Sequence, residues 1–223
     1  MLPVVIAPSI AIAGSTDRFP VRRIFCVGQN YADHAREMGN DPNRQQPFFF
    51  GKPADAVVDN GATLPFPVRT NDLHHEVELV VALSAGGRDI DAKDATGLIW
   101  GSAVGIDLTR RDLQAEAKKS GRPWDMAKGF DRSAPIGALT PGAPPETGGI
   151  ALSIDGETRQ SGDLAMMIWS VAEVIAVLST YVELAPGDLI FTGTPAGVGP
   201  IRAGQSVRAT IAGLEPLDVT FAD

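Results

Sequence analysis

The sequence predicts a β-rich α+β fold, and three observations carry that expectation. Its apolar residues fall mostly in short runs cut by 24 glycines and 17 prolines, a punctuation that suits strands and turns. Helical signals are confined to three or four stretches, chiefly 31–38, 109–119 and 170–181, the last opened by the capping-box pair Ser170 and Glu173. Asp155-Gly156 between two strand-like runs marks a hairpin, and Pro186-Gly187-Asp188 marks a turn ahead of Leu189-Ile190-Phe191.

In chain order, residues 1–20 read as a short N-terminal strand segment packing on the core, with residues 21–223 forming the main domain. The apolar start lacks a basic leading region and is broken by Pro3 and Pro8, so it reads as strands and not as a signal peptide. Cys26 lies among Ile24, Phe25 and Val27, which fits a core position; as the single cysteine it excludes an internal disulfide and suits a reducing compartment. The helix at 31–38 is followed by 39–47, a polar stretch rich in chain breakers that reads as a cover over a site. Phe48-Phe49-Phe50 reads as a buried strand or as pocket lining. Residues 74–81 and 99–106 are apolar strands, and Thr109 opens a helix that Ser120-Gly121 closes. Residues 140–145 read as a loop. Trp100 and Trp169 are expected in the core.

Composition narrows the function classes. With 44% hydrophobic and 21% charged residues over 223 positions, the chain can bury a full core as one unit. A net charge of −8 and the lack of a Lys/Arg stripe argue against nucleic-acid or anionic-membrane binding. No run reaches the roughly 18 apolar residues of a membrane span, so a cytoplasmic protein is expected.

The chemistry concentrates in His74-His75-Glu76-Val77-Glu78-Leu79-Val80-Val81. Side chains alternate along a strand, so Glu76 and Glu78 share one face while Val77, Leu79 and Val81 take the other. Two buried like charges so close together call for a cation, and oxygen-only ligation favours Mg2+, Mn2+ or Ca2+ over zinc. A solvated strand face has the same spacing. Asp107, where the 99–106 strand ends, adds a third carboxylate, although a turn or capping residue fits there too. On the 31–38 helix, His34 and Glu37 lie three apart, close enough for the carboxylate to orient the imidazole as a base; a charged surface helix has the same pattern. His74 reads as a supporting or surface residue. The glycines of Gly193 to Gly199 lack the Lys-Ser/Thr that would complete a phosphate loop.

Six ordered blocks resemble the fumarylacetoacetate hydrolase family: Asn30-Tyr31-Ala32-Asp33-His34 with Glu37; Phe50-Gly51-Lys52-Pro53; His75-Glu76-Val77-Glu78-Leu79; Asp107 with Arg111-Asp112-Leu113-Gln114; Trp124-Asp125-Met126-Ala127-Lys128; and Thr192-Gly193-Thr194-Pro195-Ala196-Gly197-Val198-Gly199. Within the family, Arg36-Glu37-Met38-Gly39 and Pro47-Phe48-Phe49-Phe50 are most similar to the short bacterial members that cleave fumarylpyruvate. The resemblance implies a bent mixed β roll with short peripheral helices, a homodimer, and Mg2+ or Mn2+ held by Glu76, Glu78 and Asp107. It implies His34 and Glu37 as the water-activating pair. Lys128 is expected in catalysis and substrate binding, with Gln29, Tyr31, Gln114 and Thr194 also facing a 2-oxo acid substrate.

The implied reaction is hydrolytic carbon–carbon cleavage of a 3-acylpyruvate, giving fumarate and pyruvate in the degradation of aromatic compounds. Lys128 is expected to stabilise the enolate, or else to form only a structural ion pair. A decarboxylase of oxaloacetate-type diacids on the same metal site is the alternative enzyme, and an inactive metal-stabilised binding protein the non-enzymatic one. Relatives commonly carry arginine where this chain has Gln29. If that arginine anchors a substrate carboxylate in relatives, this chain either recruits another cation, such as Arg36 or Arg44, or acts as an acylpyruvase of other acyl specificity.

Overall fold

The computed structural model describes residues 6–37 and 45–223. The fold is α+β and strand-rich. Its centre is a six-stranded sheet in the order Thr140–Pro141, Ile99–Ile106, Val77–Leu83, Asp188–Phe191, Arg23–Gly28, Phe48–Lys52. Neighbours run antiparallel except for the parallel pair Arg23–Gly28 and Asp188–Phe191. A five-stranded sheet built around the Gly149–Ile154/Glu157–Asp163 hairpin packs nearby, and a small three-stranded sheet joins Thr109–Arg110, Leu73–His75 and Gly199–Ile201.

Both faces of the central sheet are covered, which is why Val77–Leu83 is buried at every position. Val77, Leu79, Val81 and Leu83 enter the larger core, while Val80 and Ala82 enter a second one with Ile24, Cys26, Ala103 and Phe191. Each such Val or Leu contributes roughly 1.5–3 kcal/mol relative to exposure. By the alternation of the strand, Glu78 shares the face of Val80 and Ala82, at the end where the second core gives way to polar groups.

The hairpin and capping-box signals hold in detail. Asp155 and Gly156 both have positive φ (52° and 85°) in the two-residue hairpin turn. Ser170 caps Val171–Tyr181 with the reciprocal Glu173 bonds of a capping box. Ile10 and Phe19, on the paired strands Ser9–Ala11 and Arg18–Pro20, insert into the second core. Trp100 and Trp169 are partly buried against the two cores.

Others need correction. Glu76 is not within a strand: it sits at the break between Leu73–His75 and Val77–Leu83, where the chain passes from the small sheet to the central one. Thr109 and Arg110 do not open the helix but pair with His74 and Leu73, and the helix runs Arg111–Ser120; strand pairing there outcompetes the local capping signal. The first helix is shorter than expected, Ala32–Glu37, because Tyr31 is taken up in a bridge to Met167; Met38 lies outside the described residues. Thr140–Pro141 is a short edge strand, an edge being where proline's missing N–H does no harm. Ile6–Pro8 forms no strand. Two single-turn helices, Ala92–Ala95 and Asp125–Lys128, are too short to show a periodic signal. Phe48-Phe49-Phe50 lies on an edge strand with Phe48 half exposed. Residues 39–44 of the expected cover lie outside the described residues. No described helix is long and apolar enough to cross a membrane.

Candidate metal centre and substrate cavity

The hairpin Val77–Leu83/Ile99–Ile106 builds the acidic centre. Its register sets Glu78 opposite Gly105 and Val77 opposite Ile106, so the next residues on either side, Glu76 and Asp107, meet at the hairpin's open end. There the Asp107 amide donates to the Glu76 carbonyl at 2.8 Å. Carboxylate oxygens of Glu76, Glu78 and Asp107 all lie within 4.8 Å of one another, and all three residues are buried.

Three cations enclose the trio. Lys128 Nζ donates to Glu76 Oε2 at 2.8 Å and Asp107 Oδ2 at 2.7 Å. Arg111 Nη2 meets Glu76 Oε1 at 2.5 Å, and Lys52 Nζ lies 2.8 Å from Asp107 Oδ1. Burial opposes ionisation of Glu76, but Lys128 and Arg111 overcome it and hold its carboxyl far below the usual range. Burial likewise opposes the charge on Lys128, and Asp107 with Glu76 more than restore it. Glu78 is treated differently: burial first, then Asp107 and Glu76, push its carboxyl well up, offset only in part by Lys128 and by the Gly193 N–H at 2.7 Å. One buried carboxylate thus has a charge that the protein alone does not satisfy, within an all-oxygen donor set. Those residues fit a divalent cation of the Mg2+ or Mn2+ type.

The Thr192–Gly199 segment joins this centre to the helix carrying the dyad. Gly193 N–H binds Glu78, and Gly197 N–H binds both oxygens of Glu37 at 3.2 Å. Both glycines need positive φ, and a Cβ at Gly197 would meet the Arg159 carbonyl at 2.3 Å. The glycines that could be mistaken for a phosphate loop therefore serve two carboxylates. Glu37 Oε2 lies 3.3 Å from His34 Nδ1. Burial lowers the His34 pKa below the ordinary imidazole value, only partly countered by Glu76 and Glu37, so the ring is neutral at pH 7.

Gln29, His34, Glu76, Glu78, Gln114, Lys128 and Thr194 line one cavity. Tyr31 is buried, its hydroxyl without a partner among the described residues, and does not line it, and Glu37 and Asp107 stand behind the lining residues. Phe48, Phe50 and Trp124 form its apolar wall and continue into a cleft of about 410 Å³.

Cations overlooked in the sequence reading, Arg111 and Lys118, line the cavity, whereas Lys52 is buried behind it. Arg111 and Lys52 stand inside the Asp107 and Phe50 blocks, but only the folded chain turns them onto the carboxylates. His74 supports Arg111, whose Nε lies 3.3 Å from its Nδ1. Arg36 is not the cation compensating for Gln29: it pairs with Asp33 on its own helix and is exposed, while Arg44 lies outside the described residues. Gln29 holds a left-handed conformation, φ 60°, at the cavity edge. Gln29→Arg adds charge there without adding backbone strain, since neither residue is glycine. It is expected to strengthen binding of a dianionic small molecule about fivefold over a monoanionic one, roughly 1 kcal/mol at an intermediate dielectric. An unchanged ratio would exclude Gln29 as the site of anion recognition.

Fold and site together define a strand-rich α+β protein with a buried, all-carboxylate divalent-cation centre opening on a small-molecule cavity. The chain belongs to the fumarylacetoacetate hydrolase family, matching the fumarylacetoacetate (FAA) hydrolase C-terminal domain over residues 23–222. The crystal structure of fumarylpyruvate hydrolase from Pseudomonas aeruginosa in complex with Mn2+ and pyruvate superposes with a TM-score of 0.96 at 51% identity, covering 100% of this chain and 99% of that one. A fumarylpyruvate hydrolase from Ralstonia is 42% identical over 182 residues, 81% of this chain and 95% of its own length. The mitochondrial oxaloacetate tautomerase FAHD1 of Arabidopsis thaliana is 44% identical over 195 residues, 86% of this chain and 87% of its own.

Proposed function

We propose that this protein hydrolyses a carbon–carbon bond of a 3-acylpyruvate, with fumarylpyruvate, cleaved to fumarate and pyruvate, as the leading substrate. The observation that carries the reading is a neutral His34, backed by Glu37, in the same cavity as Glu76 and Glu78 of the carboxylate trio. The similarity to a hydrolase that binds Mn2+ and pyruvate supports it.

A divalent ion held by Glu76, Glu78 and Asp107 would supply Lewis acidity toward the oxygens of a 2-oxo acid. The protein's own groups do the rest. The Glu37 carboxylate accepts from His34 Nδ1–H, leaving the other ring nitrogen to take a proton from water. The resulting hydroxide adds to the distal acyl carbonyl. The bond from that carbon to the methylene breaks, its electron pair becoming the enolate of pyruvate, and the proton held by His34 passes to the methylene carbon. One water is consumed, and a carboxylic acid and pyruvate leave. The Lys128 ammonium adds positive charge where the enolate develops, and Gln114 and Thr194 orient the substrate. The Phe48, Phe50 and Trp124 wall suits a planar unsaturated acyl chain, and Arg111 and Lys118 suit its terminal carboxylate. Tyr31, whose hydroxyl is buried, would act from behind the cavity.

A second reading, enolisation or decarboxylation of an oxaloacetate-type diacid on the same centre, is favoured by the similarity to the Arabidopsis tautomerase. The test is a screen of fumarylpyruvate, maleylpyruvate, acetylpyruvate and oxaloacetate with Mn2+-loaded protein. Loss of enol absorbance with one pyruvate formed per substrate and no carbon dioxide is expected. Carbon dioxide release, or keto–enol exchange without cleavage, would move the assignment to the second reading. A homodimer in a reducing compartment such as the cytoplasm belongs with the hydrolase reading; the buried, unpaired Cys26 is consistent with that compartment.

A further inference from the structure

We infer that Gln160 is a positioning residue that fixes the Thr194 hydroxyl as a hydrogen-bond donor to the substrate. The inference deepens the hydrolase reading and rests on Thr194 facing the substrate cavity.

Gln160 is fully buried on the strand Glu157–Asp163. A register shift opposite Leu152/Ser153 leaves Arg159 unpaired and turns Gln160 inward, the kind of re-aiming that a β-bulge produces. Its amide makes four contacts. Oε1 lies 3.0 Å from the Val77 amide nitrogen and 2.9 Å from His75 Nδ1. Nε2 lies 2.8 Å from Thr194 Oγ1 and 2.9 Å from the Pro195 carbonyl. A side-chain amide offers two acceptor sites and two donors, so its capacity is filled.

The orientation of that amide is fixed by chemistry. The Val77 N–H can only donate, so it must face the amide oxygen; the Pro195 carbonyl can only accept, so it must face the amide nitrogen. Two consequences follow. His75 carries its proton on Nδ1, because Oε1 has none to give. Thr194 Oγ1 must accept from Nε2, so its own O–H points away from Gln160. Among the described residues no protein acceptor takes that proton, and Thr194 lines the cavity with Glu76, Glu78 and Lys128. A 2-oxo acid carboxylate, which only accepts, is the complementary partner. The oxygen end of the same amide holds the residues on either side of Glu76, so one side chain ties a metal-site carboxylate to a substrate-facing hydroxyl.

Gln160→Glu reverses this polarity while keeping an oxygen for Val77 and His75. A carboxylate there only accepts, so Thr194 must donate to it and present lone pairs to the cavity. Calorimetry with pyruvate on Mn2+-saturated protein reads the effect, with Mn2+ affinity measured separately without pyruvate. Gln160→Glu and Thr194→Val are each expected to weaken pyruvate about tenfold, the worth of a hydrogen bond to a charged group. The double variant is expected to be no weaker than Thr194→Val alone. Thr194→Ser should stay within about threefold of wild type, and Mn2+ affinity within about threefold throughout.

Losses that multiply to about a hundredfold in the double variant, or wild-type pyruvate binding by Gln160→Glu, would overturn the inference. If Gln160→Glu does not fold, Gln160→Met replaces it in the same cycle: a loss in the wild-type background that vanishes with Thr194→Val supports the inference, and one that persists refutes it. Wild-type protein that binds no pyruvate at millimolar concentration would instead remove the hydrolase reading itself, and the inference with it.

Discussion

His34→Ala is expected to lower kcat/KM for an acylpyruvate about a thousandfold, within the span that general-base catalysis contributes, while divalent-ion affinity changes less than about twofold. The ring is not among the three carboxylates that would hold the ion, so its removal separates water activation from metal chemistry. If the protein instead serves an oxaloacetate-type diacid by enolate chemistry that needs no activated water, that turnover persists in the same variant, and one preparation distinguishes the two. The pH profile gives an independent check. His34 acts in its neutral form and burial lowers its pKa, so activity is retained on acidifying through the ordinary imidazole value, near 6.5, and falls only below it. Glu37 raises that pKa through its hydrogen bond and charge; Glu37→Gln should therefore move the acid limb to still lower pH while reducing the rate. An acid limb above pH 7, or a His34→Ala variant retaining a tenth of the activity, would exclude His34 as the base.

Substitutions in the acidic trio should have opposite effects on stability, because its members are unequally compensated. Glu78→Gln is expected to raise the melting temperature of metal-free protein, since it removes the one carboxylate whose charge burial and its neighbours oppose, and the amide oxygen can still accept from Gly193. Asp107→Asn is expected to lower it, leaving Lys128 and Lys52 buried without their shared carboxylate; breaking buried pairs of this kind costs about 3–5 kcal/mol. In wild type, Mn2+ at about 100 times its dissociation constant should add about 2.7 kcal/mol of stability. Both variants should lose that increment, along with activity by about a hundredfold or more. Thermal melts with and without Mn2+ read the stability arms, and turnover by Mn2+-loaded protein reads the activity. A Glu78→Gln protein less stable than wild type without metal would contradict the electrostatic account of the centre.

The carboxylates were legible because their signal is local. Alternation along one strand brings Glu78 to a defined face, and the end of a buried strand brings Asp107 to the same edge. Even there the sequence misplaced Glu76, whose position at a break between two sheets depends on the partners of Leu73–His75, which lie far along the chain. Helix spacing made the His34–Glu37 pair visible, but not the Gly197 amide that holds Glu37. Lys52 and Arg111 stand in two of the ordered blocks with no role legible there, since a side chain's charge says nothing of whether a carboxylate awaits it across the fold. Gln160 was less visible still: in Thr158-Arg159-Gln160-Ser161 nothing marks the buried residue, because its inward turn comes from a register shift that only the paired strands reveal.

The parallel pairing of Arg23–Gly28 with Asp188–Phe191 joins segments about 165 residues apart, whereas the acidic edge comes from a single hairpin. Chain-closure entropy grows with the length of the loop closed, so the two halves of the cavity differ in how much of the molecule must be assembled to hold them. The three carboxylates come from one hairpin and its open end; the wall presenting His34, just beyond Gly28, depends on the long-range pairing with Asp188–Phe191. Partial opening would therefore dismantle the proton-handling wall first, and ageing or damaged molecules would be expected to keep capturing ions after they have ceased to turn over substrate.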